Sequence, residues 1–113
     1  MIEYLNEADL EKFKRIGFYN KTTNTAGLVR DHIVSRKQGY TFNLPECIIR
    51  HPENLQLITH SENISKGFVD RKLSDIEVLE RIELLLTRIQ SFQKEWKDQD
   101  SCIAYIMQRK GVV

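Results

Sequence analysis

The apolar positions of the first segment follow a helical period. Asn6 is suited to cap a helix at its start, and Gly17 is suited to end it. Leu5 and Leu10 stand on either side of this cap at the spacing of a hydrophobic staple, in which two apolar side chains fix the entry angle of the chain. The pattern therefore predicts a short first helix between Asn6 and Gly17.

After this helix the period changes to one that is typical of strands. Residues 27–35 (GLVRDHIVS) are rich in β-branched side chains, and residues 54–58 (NLQLI) alternate between polar and apolar. Between them, residues 36–53 contain Gly39 and both prolines of the chain, which favour irregular structure. The pattern predicts two strands that are joined by a long loop.

Helical periods return after the second predicted strand. Thr59 begins a capping-box sequence that predicts a short helix over residues 59–66, with Gly67 as its stop. Ser74 begins a second such sequence, followed by a long amphipathic helix that reaches about as far as Trp96. The face of this long helix that we expect to be buried consists of Ile76, Leu79, Ile82, Leu86, Ile89, Gln93 and Trp96.

A last amphipathic segment completes the chain. Residues 101–109 predict a helix that buries Ile103, Ile106 and Met107. The order is helix, strand, long loop, strand and three further helices, which indicates the α+β class. A chain of 113 residues has room for one core, so we expect a single domain over 1–113 with a C-terminal helical extension over 74–109.

The composition adds little about partners. The chain is 41% hydrophobic and 29% charged, with a net charge of +1, as expected of a globular protein with a modest core. Residues 26–72 hold seven Lys/Arg against five Asp/Glu, together with all three histidines. This middle part is mildly basic, but so small an excess does not by itself predict a nucleic-acid partner.

Cysteine usage and hydropathy bound the compartment. Cys47 and Cys102 are too few for a disulfide framework or a four-cysteine zinc site, and their isolation is typical of a reducing compartment. The first residues lack the apolar core of a signal peptide, and no apolar run approaches the length of a membrane span. We therefore expect a cytoplasmic protein with no membrane partner.

Four polar residues form the candidate site. Asp31 and His32 place a carboxylate and an imidazole next to each other on the first predicted strand, where neighbouring side chains point to opposite faces. Asn54 begins the second strand, and Asn63 lies on the short helix after it. Two strands packed against this helix would bring all four residues into one cleft. Carboxylate and amide oxygens suit Mg²⁺, and a neutral imidazole suits a general base.

Further polar residues lie close to these four in the sequence. His60, Asn63 and Lys66 recur at three-residue spacing and so share one helical face. Lys66 is thereby placed to meet a phosphate as a point charge. His60 is an additional candidate for a metal ligand, although a position that faces solvent or DNA is the simpler interpretation. His51 precedes Pro52 and is expected to pack within a loop.

The runs RDHIVS and HPENLQLITHSENISKG resemble the signature of the HNH endonucleases, also called ββα-metal or His-Me finger enzymes. That signature has Asp-His-Ile, a variable loop, Asn-Leu in a strand, eight intervening residues, and a His or Asn followed by Lys three positions later. The resemblance covers residues 27–67 and is greatest to small HNH proteins of bacteriophages, including free-standing homing-type enzymes. It implies an α+β fold with a ββα-metal core over 27–67, flanked by N-terminal and C-terminal helices.

Carried over position by position, the resemblance assigns roles. It implies that Asp31 and Asn63 are metal ligands, that His32 is the general base, and that Asn54 holds the base and its loop in place. It also implies Mg²⁺ or Mn²⁺ as the cofactor and hydrolysis of DNA phosphodiester bonds, leaving a 5′-phosphate and a 3′-hydroxyl. The basic residues that we expect to contact DNA phosphates are Lys66, Arg30, Arg36, Lys37 and Arg50.

Two positions depart from the family pattern. Many relatives carry Cys-x-x-Cys just before the last Asn, where it closes a structural zinc site, whereas this chain has Thr59 and Glu62 there. No structural zinc is therefore expected. The last ligand is Asn63 rather than a histidine, which favours Mg²⁺ or Mn²⁺ over ions that prefer imidazole.

The expected partner is DNA, most simply double-stranded, cut on one strand or on both by a homodimer formed through the C-terminal helices. If the protein is phage-encoded, the compartment is the cytoplasm of the host cell. The principal alternative is a catalytically inactive HNH-fold module that binds DNA or another protein. A regulatory helical protein, and an enzyme acting on RNA or branched DNA, are also compatible with the sequence. Homing, packaging and defence all fit as biological roles.

Overall fold

The computed structural model describes residues 4–111. In this part of the chain a two-stranded sheet is combined with six α-helices, so the predicted α+β class is confirmed. In chain order the elements are α1 (Glu7–Ile16), β1 (Leu28–His32), α2 (Arg36–Thr41), α3 (Glu46–Ile49), a single 3₁₀ turn (Pro52–Asn54), β2 (Leu55–Thr59), α4 (His60–Asp70), α5 (Asp75–Gln90) and α6 (Gln99–Arg109).

The two strands pair antiparallel, and α4 begins directly after β2 ends. Asp31 lies opposite Gln56, and His32 lies opposite Leu55. Thr59 caps α4 with its side chain and forms the predicted capping box with Glu62. The order strand, strand, helix is therefore present. β1 is shorter than the predicted 27–35, whereas β2 has its predicted length but begins one residue later, so Asn54 lies in the 3₁₀ turn and does not begin the strand as predicted.

The predicted first helix is confirmed in its bounds and its caps. Asn6 Oδ1 accepts the N–H of Asp9 at 2.8 Å, which satisfies one of the unpaired donors at the start of α1. Gly17 ends the helix at φ 73°, a left-handed conformation that glycine adopts without steric cost. Leu5 is buried and Leu10 packs in the same cluster, as a staple across the cap requires.

The prediction of an irregular loop over residues 36–53 is wrong. The segment contains α2, α3 and the 3₁₀ turn, because Ser35 and Gln38 form a complete capping box that starts α2. Gly39 does not break this helix. A Cβ built at Gly39 would lie 2.7 Å from Ile49 Cδ1, so the glycine permits close packing of α2 against α3.

The prediction that Gly67 ends the helix after β2 is also wrong, since α4 continues to Asp70. Gly67 lies in open space on the helix surface, where a glycine costs only about 1 kcal/mol relative to alanine. Lys66 and Asp70 form an ion pair one turn apart, which stabilises the last turn of α4 beyond the glycine.

The long C-terminal helix is shorter than predicted, and its buried face agrees with the prediction at Ile82, Leu86 and Ile89 but not at Ile76. α5 ends at Gln90, and Trp96 packs against the core from the connection to α6. Ile76 is 70% exposed, contrary to its predicted place on the buried face. The buried residues of α5 are Val78, Ile82, Leu85, Leu86 and Ile89. In α6 the fully buried residues are Cys102 and Ile106, whereas Ile103 and Met107 are half-buried.

Two hydrophobic clusters hold the elements together. The smaller joins α1 to the sheet through Leu5, Leu28 and Leu57. The larger consists of Val34, Leu44, Ile48, Ile49, Val78, Ile82, Leu85, Leu86, Ile89, Cys102 and Ile106. The buried residues of α5 are therefore covered within one copy of the chain, while Ile76 and Leu84 of the same helix stay exposed. The homodimer through the C-terminal helices stays a prediction. Both cysteines are free thiols. No helix of residues 4–111 has the length and apolar composition that crossing a membrane requires.

His51 is fully buried between this core and the 3₁₀ turn, which agrees with the packing role expected for it. Its ring meets those of Phe92 and Trp96 edge-on, with centroids 4.7 and 4.8 Å away. The N–H of Glu53 donates to Nδ1 at 3.0 Å, so Nδ1 carries no proton. Nε2 then bears the proton of the neutral ring and donates to Gln99 Oε1 at 2.6 Å.

This arrangement predicts a loss of stability in acid. Burial lowers the pKa of His51 below 6.5, against a smaller opposing effect of the Gln99 hydrogen bond, and protonation of Nδ1 would oppose the Glu53 N–H. Below pH 6.5 the unfolded chain binds a proton that the folded chain refuses, so the free energy of unfolding falls as pH falls. We expect the His51→Gln variant to lose up to about 1.4 kcal/mol per pH unit of this slope between pH 6.5 and 5. Urea unfolding across this range measures it, and equal slopes in both proteins would contradict the prediction.

Candidate active site

Asp31 lies on the face of the sheet that α4 covers. Gln56, its partner on β2, donates from Nε2 to Asp31 Oδ2 at 3.0 Å, so the two side chains share this face. Lys66 of α4 places its Nζ 3.2 Å from the same carboxylate oxygen. Only 15% of the Asp31 side chain is exposed, so these two contacts supply much of its polar surroundings.

Lys66 is held by oxygen atoms of two elements. Its Nζ donates to the backbone oxygen of His32 at 3.0 Å and to Asp70 Oδ2 at 2.8 Å, in addition to the contact with Asp31. The side chain is 19% exposed. The ammonium group therefore ties α4 to the end of β1 at the two residues on which the predicted chemistry depends.

Arg81 of α5 extends this arrangement. Its Nη1 donates to Asp70 Oδ1 at 3.0 Å and to the backbone oxygen of Ile33 at 3.1 Å. Asp31, Lys66, Asp70 and Arg81 thus alternate in charge, and we refer to them as the ion network. The network connects β1, α4 and α5 around the backbone of the two residues that follow Asp31.

The network sets the charge of Asp70. Burial opposes ionisation of this carboxyl, but the hydrogen bonds from Lys66 and Arg81 outweigh that effect and hold the pKa of Asp70 below its ordinary value. Asp70 is therefore an anion throughout the neutral range. Sequence reasoning missed both Asp70 and Arg81. The i,i+4 spacing of Lys66 and Asp70 could have indicated the first.

His32 occupies the last position of β1. Side chains alternate along a strand, so the imidazole points away from the face that carries Asp31. Burial, and then the Arg36 guanidinium, lower the pKa of His32 below 6.5, with the Asp31 carboxylate opposing them. The ring is half-buried and neutral at pH 7, which is the protonation state that a general base needs.

Asn54 is completely buried beneath the segment that follows His32. Its Oδ1 accepts the N–H of Val34 at 2.8 Å, and its Nδ2 donates to the backbone oxygens of Val34 and Ile49 at 3.0 and 2.8 Å. The backbone oxygen of Asn54 accepts the N–H of Ile33 at 2.8 Å. These bonds end the strand and agree with the prediction that Asn54 holds the loop after His32.

Asn63 is half-buried on α4. The residues one turn before and after it on the same helical face, His60 and Lys66, both make contacts on the side of β1. Lys66, three residues later, contacts Asp31. His60, three residues earlier, stacks on the Tyr19 ring with centroids 4.4 Å apart, and the backbone of Tyr19 binds Leu28 at the start of β1. Helical spacing therefore puts Asn63 on the side of α4 that faces β1. His60 lies at the far end, away from Asp31.

Four of the predicted phosphate contacts lie outside this cluster, and they are Arg30, Arg36, Lys37 and Arg50. All four are exposed. Arg36 pairs with Glu46 at 2.9 Å, and Arg50 pairs with Asp98 at 3.4 Å. Exposed pairs of this kind are weak, so they leave these side chains able to exchange partners. Lys66 is the predicted phosphate contact that the structure brings to Asp31.

The groups that contact the Asp31 carboxylate in the structure are the Gln56 amide, which donates a hydrogen bond to it, and the Lys66 ammonium group, which forms an ion pair with it. In the described residues no group of three or more His, Cys, Asp or Glu side chains is placed to hold a metal ion. The predicted pair is of another kind, one carboxylate and one amide. Mg²⁺ in nucleotide-processing sites commonly binds one or two protein oxygens, and phosphate and water oxygens fill the remaining positions. Asp31 and Asn63 are chemically compatible with that mode.

The chain has no match among known protein families, curated proteins or solved structures. The resemblance to HNH endonucleases therefore rests on the sequence motif, and it stays a prediction.

Proposed function

We propose that this protein is a metal-dependent endonuclease that hydrolyses DNA phosphodiester bonds and leaves 5′-phosphate and 3′-hydroxyl ends. The observation that carries the proposal is the 3.2 Å contact between Asp31 of β1 and Lys66 of α4. This contact joins the carboxylate to the helical face on which Asn63 lies, next to a neutral histidine. The elements involved follow each other in the order strand, strand, helix.

In this mechanism His32 is the general base. Its imidazole takes a proton from a water molecule, whose oxygen attacks the phosphorus as the bond to the 3′-oxygen breaks, and the leaving oxygen takes a proton from solvent. Bound by Asp31 and Asn63, Mg²⁺ would neutralise the charge that develops on the phosphate and the leaving oxygen. Asp31 and His32 point to opposite faces of β1, so the scissile phosphate must approach at the outer edge or the end of the strand.

Two other residues support these groups. Asn54 fixes the backbone after His32 through its amide, which limits the positions that the imidazole can take. Lys66 contributes positive charge beside Asp31, where a phosphate would be attracted to it. The proposal thus divides four tasks among five residues. Asp31 and Asn63 bind the metal, and His32 transfers the proton. Asn54 positions the backbone, and Lys66 attracts the phosphate.

The proposal predicts nicking or linearisation of supercoiled plasmid in Mg²⁺ that EDTA abolishes. In the Asp31→Asn variant, which keeps the shape of the side chain and removes its charge, we expect the rate to fall on the order of 100-fold or more, because the metal contributes several kcal/mol to the transition state. Mapping of the ends should find 5′-phosphates.

Asp100→Asn is the matched control, since it makes the same change at an exposed position of α6. It should cleave at the wild-type rate. A wild-type protein that leaves the plasmid intact in both Mg²⁺ and Mn²⁺ would exclude the nuclease function.

The ion network also supports a second candidate, a catalytically inactive HNH-fold module that binds DNA or another protein. Lys66 already neutralises Asp31, and a stable salt bridge at this position would keep a divalent ion away. This candidate predicts DNA binding that weakens with salt, without any cleavage and without dependence on divalent ions. A gel-shift titration beside the plasmid assay separates it from the nuclease.

A further inference from the structure

The Lys66 ammonium group lies between two carboxylates of different character. It is 2.8 Å from Asp70 Oδ2 and 3.2 Å from Asp31 Oδ2, so the closer partner is not the proposed metal ligand. Asp70 is also bound by Arg81 at 3.0 Å through its other oxygen, and it is only 14% exposed. Asp70 is thus positioned by two cations, Lys66 and Arg81, whereas Asp31 pairs with Lys66, which it shares with Asp70.

We infer that Lys66 is an internal cation that competes with the divalent ion for Asp31, and that Asp70 is the positioning residue that retains the ammonium group when the ion binds. The inference rests on the proposed function, because it concerns the metal ligand named there. It adds a control over metal binding that the family resemblance does not supply.

The physical basis is repulsion between like charges at short range. A divalent ion on Asp31 would lie within a few ångström of an ammonium group that is now 3.2 Å from the same oxygen, in a region that is mostly shielded from water. Lys66 can turn away from Asp31 and still keep Asp70 and the His32 backbone oxygen as acceptors. Without Asp70 the ammonium group would have Asp31 as its remaining carboxylate partner and would oppose the metal more strongly.

The test is the affinity for Mn²⁺ in the absence of DNA, measured by calorimetry and by the rise in unfolding temperature with Mn²⁺ concentration. We expect Lys66→Gln to bind Mn²⁺ at least about fivefold more tightly than wild type, the lower end of common coupling between sites. Asp70→Asn should bind it more weakly. In the Lys66→Gln background, Asp70→Asn should have little further effect, because the lysine that Asp70 restrains is gone.

Lys72→Gln is the matched control, since it removes the same charge from the exposed turn after α4. Equal gains in Lys72→Gln and Lys66→Gln would reduce the effect to general electrostatics and overturn the inference. An undiminished loss from Asp70→Asn in the double variant would also overturn it, because Asp70 would then act on the metal directly. Lys66→Met provides a second neutral side chain if Lys66→Gln unfolds at a lower temperature.

The same measurements separate this inference from the proposed function. If wild type cleaves plasmid and binds Mn²⁺ but Lys66→Gln binds it no more tightly, the competition is absent and the nuclease function stands. If wild type neither cleaves nor binds Mn²⁺, both proposals fail together.

Discussion

Replacement of His32 by alanine should reduce the rate of Mg²⁺-dependent plasmid cleavage by a factor of about 10² to 10⁴, the usual contribution of a positioned general base. The fold should persist, because the imidazole is half-buried at the end of β1 and the bonds that end this strand are made by backbone atoms and by Asn54. Binding of DNA and of Mn²⁺ should also persist, since neither Asp31 nor Lys66 depends on this side chain. Cleavage rates, gel shifts and calorimetry on one preparation measure the three properties.

The pH profile gives an independent check on the same residue. Only a neutral imidazole accepts a proton, so the wild-type rate should fall as pH drops through the pKa of His32. Burial and the Arg36 guanidinium lower that pKa, which places the acid limb of the profile below pH 6.5. Added imidazole should restore part of the rate of His32→Ala. A variant that is as active as wild type would remove His32 from the mechanism.

Local sequence signals predicted the parts of the fold that depend on neighbouring residues. Asn6 and Thr59 each begin a helix in the way their side chains favour, through hydrogen bonds that span three residues. The two strands could be recognised because β-branched residues and alternation are local properties. Their exact ends could not, since β1 ends where Ile33 and Val34 bind Asn54, about twenty residues later in the chain.

Glycines were an unreliable guide to helix ends: Gly17 ends α1 as predicted, but two others do not end a helix. Gly39 and Gly67 both lie inside helices. Ile49 occupies the space that a Cβ of Gly39 would need, and the position of Gly67 is open, so a glycine is tolerated there. Neither reason can be read from the residues on either side. The same holds for Val78 and Leu85 of α5, which the pattern did not place on the buried face and which pack in the cluster that includes α6 and Ile48.

The candidate site was also predicted only in part. The sequence pattern identified Asp31, His32 and Lys66, and the structure brings the carboxylate and the backbone of this pair to the lysine. The role of Arg81 depends on contacts with Asp70 and with the backbone of Ile33, which lies 48 residues away. The one available signal is that Arg81 lies three residues after Val78 and four before Leu85, on the buried side of α5. A charged residue in such a position usually has a specific partner.

Replacement of Asn54 by alanine should lower the free energy of unfolding by about 3 kcal/mol or more, which is large for one polar side chain. The amide is fully buried and makes all of its bonds with backbone groups of Val34 and Ile49. Its removal leaves a buried N–H and two carbonyl oxygens without this partner, and each unsatisfied group costs about 1–3 kcal/mol. Chemical unfolding followed by circular dichroism measures the change. The cleavage rate should also fall at temperatures where the variant is folded, because the segment after His32 loses its fixed position.

The Asn54→Asp variant tests the cause rather than the size of this effect. A carboxylate can still accept the Val34 N–H, but its second oxygen would face the backbone oxygens of Val34 and Ile49, which the amide now binds as a donor. Protonation restores a donor, so the pKa of the new carboxyl should be raised in the folded state. The variant should accordingly recover stability relative to wild type as pH falls towards 4, opposite in sign to the expected effect of His51. Equal losses at pH 7 and pH 5 would mean that the two carbonyl bonds of Asn54 contribute little, and that its place beneath His32 depends on shape alone.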